Sequence, residues 1–384
     1  MKFKHLFQMT LIIVLIPILI TAQAKKKKER YEFKHIYELK TTPVKNQSKT
    51  GTCWSFATTS FIETELIRMG KGEIILSPMY FVRLAYPQKA ARYVRYHGDA
   101  TFGPGGQAHD VMNVIKNHGF VPEDNYKGMN IDEDEHNHGE MHSVLENILS
   151  AVIKNRGGKV TPLWPKVFES ALDFYLGSTL KEFDYANKSY TPISFSESLG
   201  FNPDNYIELT SYTHHPYFSK IDLEVPDNWS RDLYYNIPID DLIKTIDYAI
   251  ANGFSIAWDG DTSEKEFDRK KGYAIIPIDA DSIKEEEDDK KTIEPYKEKT
   301  ITQEMRQETF DNYTTTDDHL MHLTGIAADQ TGAKFYYTKN SWGTKDKKYD
   351  GYWYMSLPYV KLKTIAIMVH KDAVPAEIKT KIGL

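Results

Sequence analysis

Residues 45–58 read KNQSKTGTCWSFAT, and Cys53 within them is the only cysteine in the 384-residue chain. A lone cysteine forms no intramolecular disulfide, so it is either a small buried side chain or a reactive thiol. The run from Trp54 to Arg68 lacks glycine and proline and carries its apolar residues largely on one side, which predicts a helix. Cys53 would then stand at a helix N-terminus, where unpaired N–H groups favour a thiolate.

A thiolate that attacks a carbonyl also needs a base and donors for the oxyanion. Gln47 lies six residues before Cys53, and its side-chain amide is the candidate donor beside the Cys53 backbone N–H. His319 begins a predicted strand and Asn340 ends the next, so antiparallel pairing would bring them together. The Asn340 amide oxygen would fix the imidazole tautomer, and Trp342 would exclude water from that hydrogen bond.

With these residues in this order, the chain resembles a papain-like cysteine peptidase over nearly all of residues 35–375. The family signature C-G-[SA]-C-[WY] aligns with Thr50 to Trp54, and the N-S-W-G that begins at Asn340 is complete. The resemblance implies a two-lobed fold, no cofactor or metal, and peptide substrates. It also implies a nucleophile, a base, an orienting residue, an oxyanion donor and substrate-binding residues, namely Cys53, His319, Asn340, Gln47, and Gly105, Gly106 and Trp342.

His322 is a rival base, because it follows His319 by three residues. Along a strand, His319, Met321 and Leu323 share one face, whereas His322 points to the other. The family alignment also places the histidine directly after an aspartate, as in Asp318-His319. We therefore assign the base to His319 and expect His322 to be packed or at the surface.

Two departures from secreted papains indicate the branch of the family. Thr50 stands where those enzymes carry a disulfide cysteine, and 266 residues separate Cys53 from His319, against roughly 130–150 in papain. Both features resemble the bleomycin hydrolase or aminopeptidase C branch, which implies an aminopeptidase, a homo-hexamer and a C-terminal arm in the cleft. The tail ending at Leu384 looks shorter than that arm. A cysteine endopeptidase therefore stays open as an alternative. An acyl transferase, which would use the same residues, and a non-catalytic peptide-binding relative that kept the fold also stay open.

Residues 1–24 have the layout of a secretory signal peptide, with a basic start, an apolar run and Ala22-Gln23-Ala24. We expect cleavage after Ala24, export to the periplasm or the medium, and no stable membrane insertion afterwards. The basic linker 25–34 that follows disfavours translocation, so an uncleaved anchor is the alternative. A net charge of −6 argues against nucleic acid as a partner.

Residues 35–384 are expected to form one α+β peptidase domain, because helical patterns come first and strand patterns later. We expect a helical lobe mainly over 50–180, an insertion region over 121–270, and an antiparallel, barrel-like lobe mainly over 254–375. Periodicity and caps predict helices over 54–68, 77–93, 110–119, 141–155 and 238–253, and strands over 254–261, 319–327, 333–342, 351–357 and 364–372.

The remaining polar segments give weaker signals. The acidic run 132–140 contains two histidines, His136 and His138, but matches no metal motif, so we expect a solvated loop, as for 284–291. The adjacent His214 and His215 either line the cleft or form a turn. Residues 228–230 (Asn-Trp-Ser) fit the N-glycosylation acceptor pattern, which is a short and weak match.

Overall fold

The structure is a computed structural model that describes residues 29–131, 133–155, 157–279 and 294–384. The expected signal peptide, the first residues of the basic linker and the charged segment 284–291 lie outside the described residues. Within the described part of the chain, no helix combines the length and the apolar character needed to cross a bilayer.

The described residues form ten α-helices and thirteen strands, numbered here in chain order. The helices are α1 Cys53–Arg68, α2 Pro78–Arg95, α3 Ala108–His118, α4 Gly139–Ile153, α5 Trp164–Leu176, α6 Pro192–Ser198, α7 Ile239–Ala251, α8 Gln303–Asp311, α9 Leu357–Lys363 and α10 Ala376–Ile382. The strands are β1 Lys34–Glu38, β2 Phe183–Tyr185, β3 Lys188–Tyr190, β4 Tyr206–Thr210, β5 Ser219–Asp222, β6 Leu233–Asn236, β7 Ile256–Gly260, β8 Phe267–Asp268, β9 Tyr273–Ala274, β10 His319–Ala328, β11 Lys334–Lys339, β12 Tyr352–Ser356 and β13 Thr364–His370.

The predicted helices are confirmed to within a few residues at their ends. α1 begins one residue earlier than the pattern indicated, at Cys53 itself, and ends as predicted at Arg68. Before α2, the Ser77 hydroxyl accepts a hydrogen bond from the Tyr80 N–H at 3.1 Å, and Pro78 takes the first helical position. A serine cap and a proline in the first turn leave few backbone donors unsatisfied, which explains the sharp start of this helix.

Eleven strands form one mostly antiparallel sheet, in the order β5-β6-β4-β13-β7-β10-β11-β12-β9-β8, with β1 paired to β10. Among the strand pairs of the described residues, only β4–β6 and β9–β12 are parallel. The order has two ends, β5 and β8, so the strand pairs of the described residues do not close the sheet on itself. The α+β class is therefore confirmed, whereas the expected barrel-like closure of the sheet lobe is not.

Two apolar cores meet at the central strands β7 and β10. The larger core contains residues from all six helices α1 through α6, and it includes Ala257 of β7 and Leu320 of β10. The second core packs α7, α9 and α10 on the sheet, and it takes Trp258 and Met321 from the same two strands. Because neighbouring strand residues face opposite sides, β7 and β10 are shared by both cores. α1 packs against β7 and β10, which positions its first turn beside the start of β10.

Candidate active site

Cys53 lies at the first position of α1, and its thiol is free and only 9% exposed. Thr50, which stands in place of a disulfide cysteine, is buried, and its hydroxyl lies 2.7 Å from that of Thr52. This hydrogen bond braces the turn that leads into the helix. A backbone hydrogen bond from Leu320 acts on the Cys53 thiol, which places the thiol at the start of β10.

The side chains of His319 and Asn340 meet at the start of β10. The His319 Nε2 lies 2.8 Å from the Asn340 Oδ1, and both side chains are buried. The Trp342 ring stacks on the imidazole, with 4.6 Å between centroids and 30° between planes. Since Nε2 is engaged by the amide, Nδ1 is the imidazole nitrogen that is left to exchange a proton with a substrate or a thiol.

The strand register explains why two residues so far apart in sequence come together. His322 of β10 pairs with Lys339 at the end of β11, so Asn340 lies just beyond the paired segment. The Asn340 N–H donates to the Gly351 carbonyl at 3.0 Å, and its Oδ1 also accepts from the Ser341 N–H at 2.7 Å. Its side chain is therefore held toward the first residue of β10.

Gln47 is fixed by Ser341, a residue to which sequence analysis assigned no role. The Gln47 N–H donates to the Ser341 carbonyl at 2.8 Å, and the Ser341 hydroxyl donates to the Gln47 Oε1 at 2.6 Å. Both contacts leave the Gln47 Nε2 free to donate elsewhere, as an oxyanion donor must. The N-S-W-G stretch was the only sequence signal for Ser341.

Gly105 and Gly106 lie where a larger residue does not fit. A Cβ at Gly105 would collide with the Asp227 carboxylate, and one at Gly106 would lie 2.6 Å from the Asp110 Oδ2. The Trp54 indole N–H donates to the Pro104 carbonyl at 2.9 Å, which ties this turn to α1. The structure thus explains both glycines by close packing. Their predicted pairing with a substrate backbone stays a prediction.

His322 lies in a different environment from His319. It is fully buried, and its Nδ1 is 2.9 Å from the Ser60 hydroxyl of α1. Burial lowers its pKa well below the ordinary value, and the nearby Lys339 ammonium lowers it further. This histidine is packed between the sheet and α1, as expected, and does not contact Asn340 in the structure.

Burial sets the protonation of the two reactive groups. Burial raises the pKa of Cys53 to about 12, and the carboxylates of Asp227, Asp317 and Asp259 act in the same direction. Burial lowers the pKa of His319 to about 4, against the opposing effect of the Asn340 hydrogen bond. At neutral pH the unliganded pair is therefore a thiol and a neutral imidazole. The expected gain in thiolate from the helix N-terminus is outweighed by desolvation.

Of the two histidines in the acidic run, His138 is buried and His136 is half-buried. The Lys49 N–H donates to the His136 carbonyl at 3.1 Å, and the His138 N–H donates to the Lys49 carbonyl at 3.0 Å. His138 is buried, and burial lowers its pKa to about 4. The expectation of a solvated loop is thus wrong for His138, because this stretch pairs with the loop that precedes Cys53, whereas residues 133–135 and 137 are exposed.

His214, His215 and Glu224 form the one cluster with metal-ligand geometry in the described ranges, with ligand atoms within 4.8 Å of one another. The Gln307 Nε2 donates to the His214 Nδ1 at 2.9 Å, so the His214 Nε2 carries the proton. That proton points at Glu224, 3.1 Å away. A metal would need this nitrogen unprotonated, so the cluster is better satisfied by hydrogen bonds from both histidines to the Glu224 carboxylate.

Comparison with known proteins covers both lobes. The papain family cysteine protease model matches residues 29–158, and the peptidase C1-like family model matches residues 168–383. Aminopeptidase G of Lactobacillus delbrueckii subsp. lactis is 23% identical over 379 residues, which cover 87% of this chain and 82% of that protein. Mitochondrial cysteine proteinase 1 of Saccharomyces cerevisiae is 22% identical over 417 residues, which cover 93% of this chain and 80% of that protein.

The fold agrees with a solved structure. PepW from Lactobacillus rhamnosis HN001 superposes with a TM-score of 0.71 at 19% identity, over 91% of this chain and 84% of that chain. Aminopeptidase E of Lactobacillus helveticus is a further relative, 24% identical over 87% of this chain and 82% of its own length. The similarity thus extends through both lobes and includes the elements that carry Cys53, His319 and Asn340.

Proposed function

The chain belongs to the peptidase C1-like family, and from this premise we propose that it hydrolyses peptides with Cys53 as nucleophile and His319 as base and acid. It is a papain-family cysteine peptidase of the bleomycin hydrolase and aminopeptidase C branch, so the resemblance predicted from sequence is confirmed. The residues and the aminopeptidase activity are the proposal. The 2.8 Å hydrogen bond between His319 and Asn340, beside the buried thiol, is the observation that carries it.

In the proposed mechanism, attack and proton transfer occur together because the resting pair is neutral. The Cys53 Sγ forms a bond to the scissile carbonyl carbon while its proton passes to the His319 Nδ1. The Gln47 Nε2 and the Cys53 N–H donate to the oxyanion. The imidazolium then protonates the leaving amine, the C–N bond breaks, and a thioester remains. Water, deprotonated by His319, hydrolyses that thioester and restores the thiol.

The surroundings of His319 support this cycle. Its hydrogen bond to Asn340 selects the tautomer with the proton on Nε2, which leaves Nδ1 as the acceptor. Trp342 covers one face of the ring, and the Arg269 guanidinium lies 4.8 Å from the centroid of Trp342. A stacked and hydrogen-bonded imidazole has little rotational freedom, so less conformational entropy is lost when the ring is ordered in the transition state.

Aminopeptidase activity is favoured because the relatives aminopeptidase G and aminopeptidase E bear that name and align over most of their length. The test compares a fluorogenic amino-acid amide with its N-acetylated form. Cleavage of the substrate with a free amine, but not of its N-acetylated form, supports an aminopeptidase. Equal cleavage of both substrates supports the endopeptidase alternative.

The control for this assay is Cys53→Ala. We expect loss of turnover with an unchanged circular dichroism spectrum, because the change removes only the sulfur atom and its hydrogen bond with the Leu320 backbone. Full activity in this variant would overturn the mechanism. Failure of the wild-type protein to cleave any peptide would favour the non-catalytic peptide-binding relative.

Export and assembly into a homo-hexamer remain proposals that rest on residues 1–24 and on the family resemblance, respectively. N-terminal sequencing of the protein recovered from its native host tests cleavage after Ala24. Light scattering of the purified chain tests the hexamer, for which a monomer mass is the contradicting result.

A further inference from the structure

Three histidines stand close together in the chain where α4 begins, and we refer to His136, His138 and His142 as the histidine cluster. His138 directly precedes α4, and its backbone carbonyl accepts from the His142 N–H at 2.8 Å. His136 and His138 flank Asn137, whose backbone pairs with that of Lys49. Residues two apart in an extended segment and residues four apart in a helical turn lie on the same side, so both flanking histidines are placed beside His138.

The rings of His136 and His138 lie against each other. Their centroids are 5.8 Å apart, with 80° between the ring planes. Two imidazoles that ligate one tetrahedral ion have centroids roughly 5 Å apart, because the metal–nitrogen distance is about 2.0–2.1 Å. The observed separation is therefore close to that of two ligands of a shared ion.

The His138 imidazole has no hydrogen-bond partner among the residues that the structure describes. Its side chain is only 5% exposed, and both Nδ1 and Nε2 are unpartnered. The Nδ1 of His142 is likewise buried without a partner in the described part of the chain. A neutral imidazole has one acceptor nitrogen, and burying that nitrogen unpaired is costly. A metal ion would satisfy it, because the same lone pair forms the metal–nitrogen bond.

His214 differs from the histidine cluster in how its ring nitrogens are used. Its Nδ1 is bonded to Gln307 and its Nε2 to Glu224, so neither is left for a metal. The nitrogens of the histidine cluster are unused, but within the described ranges only His214, His215 and Glu224 have three ligand atoms within 4.8 Å of one another. Binding an ion would therefore require the flanking rings of the cluster to turn toward His138, and both flanking side chains are only half-buried.

The charges around the cluster favour a cation. Residues 133–135 (Glu-Asp-Glu) are exposed carboxylates directly before it, and Glu146 stands one helical turn after His142. Such a group of acidic side chains raises the local concentration of cations. Burial lowers the pKa of all three histidines, so at neutral pH they are neutral imidazoles, the form that binds transition metals.

The cluster is attached to two chain segments that lead into the active site. The backbone of residues 136–138 hydrogen-bonds to Lys49, which belongs to the loop before Cys53. The His142 ring stacks on Phe102, with 5.8 Å between centroids and 16° between planes. Phe102 directly precedes the turn that carries the glycines assigned to substrate binding. An ion held by the cluster would therefore restrain both segments.

We propose that the histidine cluster binds a divalent transition-metal ion such as Zn²⁺, and that the bound ion restrains the segments that lead to Cys53 and to the glycines. Imidazole nitrogen suits zinc, copper and nickel, whereas calcium and magnesium prefer oxygen ligands. His138 is the central ligand, the other two histidines flank it, and water completes the coordination. The site is separate from the proposed nucleophile and base, so this inference does not rest on peptide hydrolysis.

The first experiment measures Zn²⁺ binding by isothermal titration calorimetry. The protein is the Cys53→Ala chain prepared without a histidine tag, so that the thiol does not compete as a ligand. We expect one ion per chain. In this background His136→Gln, His138→Gln and His142→Gln should each weaken binding by at least about 10-fold, because outer-shell partners of a metal ligand alone contribute that much. His215→Gln is the matched control, and it should bind Zn²⁺ as tightly as Cys53→Ala.

His138→Gln replaces a buried ring, so the fold of each variant is checked by circular dichroism. If His138→Gln is unfolded, the half-buried His136 and His142 decide the result, and weaker binding in either variant supports the proposal. Unchanged affinity in both would overturn it, as would the absence of binding by Cys53→Ala. An equal loss of affinity in His215→Gln would also overturn it, because the ion would then bind elsewhere.

Amide hydrogen exchange tests the restraint on the two segments. Zn²⁺ should slow exchange in residues 45–52 and 100–106 of Cys53→Ala, including the Lys49 N–H that donates to the His136 carbonyl. At a concentration that saturates only Cys53→Ala, the ion should leave both segments of Cys53→Ala/His142→Gln unchanged. Equal slowing in the two proteins, or none in Cys53→Ala, would overturn the restraint. Neither measurement uses turnover, so both remain decisive even if the wild-type chain cleaves no peptide.

Discussion

The first and fourth residues of β10 are two histidines in different environments. His319 lies at the cleft, with its Nε2 bonded to Asn340 and its ring under Trp342. His322 lies deeper in the molecule, with its Nδ1 bonded to the Ser60 hydroxyl. Burial lowers the pKa of both. A lowered pKa therefore does not identify the base, whereas an orienting amide and access to the thiol do.

The largest expected effect separates these histidines directly. His319→Ala should lower kcat by roughly 10³- to 10⁴-fold, because it removes the group that accepts and returns the proton. His322→Gln should lower kcat by less than about 10-fold, because Ser60 keeps a hydrogen-bond partner and no reacting group is removed. Steady-state kinetics on one fluorogenic peptide measures both.

His322→Gln also controls for stability in this comparison. We expect it to lower the free energy of unfolding by about 1–3 kcal/mol, as substitution of a buried polar side chain does. Urea unfolding at pH 7.5 measures that loss. A kcat in His322→Gln as low as that of His319→Ala, in protein shown to be folded, would reverse the assignment of the base.

The second effect concerns Gln47, the proposed oxyanion donor, and Ser341, which holds the Gln47 side chain by a hydrogen bond. Gln47→Ala should lower kcat by about 10²- to 10³-fold, or roughly 2–4 kcal/mol of transition-state stabilisation. Ser341→Ala removes the hydroxyl that holds the Gln47 Oε1, so it should lower kcat in the same direction by about 10-fold. In the double variant the two losses should not add, because both act through one amide. Additive losses would show that Ser341 acts independently of Gln47.

The cleft end of β10 was largely predictable from sequence, because its residues stand in short motifs. Cys53 begins a helix with clear periodicity, and Asn340 stands in a complete N-S-W-G stretch. Strand alternation then distinguished His319 from His322. Each of these inferences depends on neighbours in the chain.

The carboxyl groups near Cys53 were not predictable from sequence, because Asp227, Asp259 and Asp317 come from three separate elements. Asp227 lies in a loop, and Asp259 stands in a strand whose pattern shows only one polar residue among apolar ones. Neither position carries a motif, and their convergence depends on the pairing of β7 with β10. Long-range register of this kind leaves no signal in a single sequence. The same reason explains why the barrel-like lobe was expected where an open sheet order is found.

A third, smaller effect tests the orienting amide. Asn340→Ala should lower kcat by about 10- to 100-fold, because the imidazole keeps the Trp342 stack but loses the group that fixes its tautomer. KM should change little, since the amide lies behind the ring. Asn340→Gln is the matched variant, and we expect a kcat between those of Asn340→Ala and the wild type only if the longer amide still reaches the His319 Nε2. A kcat unchanged in Asn340→Ala would show that Trp342 alone orients His319.

The smallest effect is on the pH dependence of stability, and it returns to the deeper histidine. Burial keeps the pKa of His322 well below its ordinary value, so from about pH 6.5 downward the unfolded chain binds a proton that the folded chain does not. This neutral histidine therefore stabilises the fold fully above pH 6.5, and that contribution is lost as the pH falls toward its folded pKa. Removing it in His322→Gln should flatten the decline of the unfolding free energy by up to about 1.4 kcal/mol per pH unit.

Urea unfolding at pH 7.5 and 5.0 checks this, because the gap in unfolding free energy between His322→Gln and the wild type should narrow at the lower pH. A constant gap would mean that His322 binds protons equally in the folded and unfolded chain, and the distinction between the two histidines would then rest on Asn340 alone.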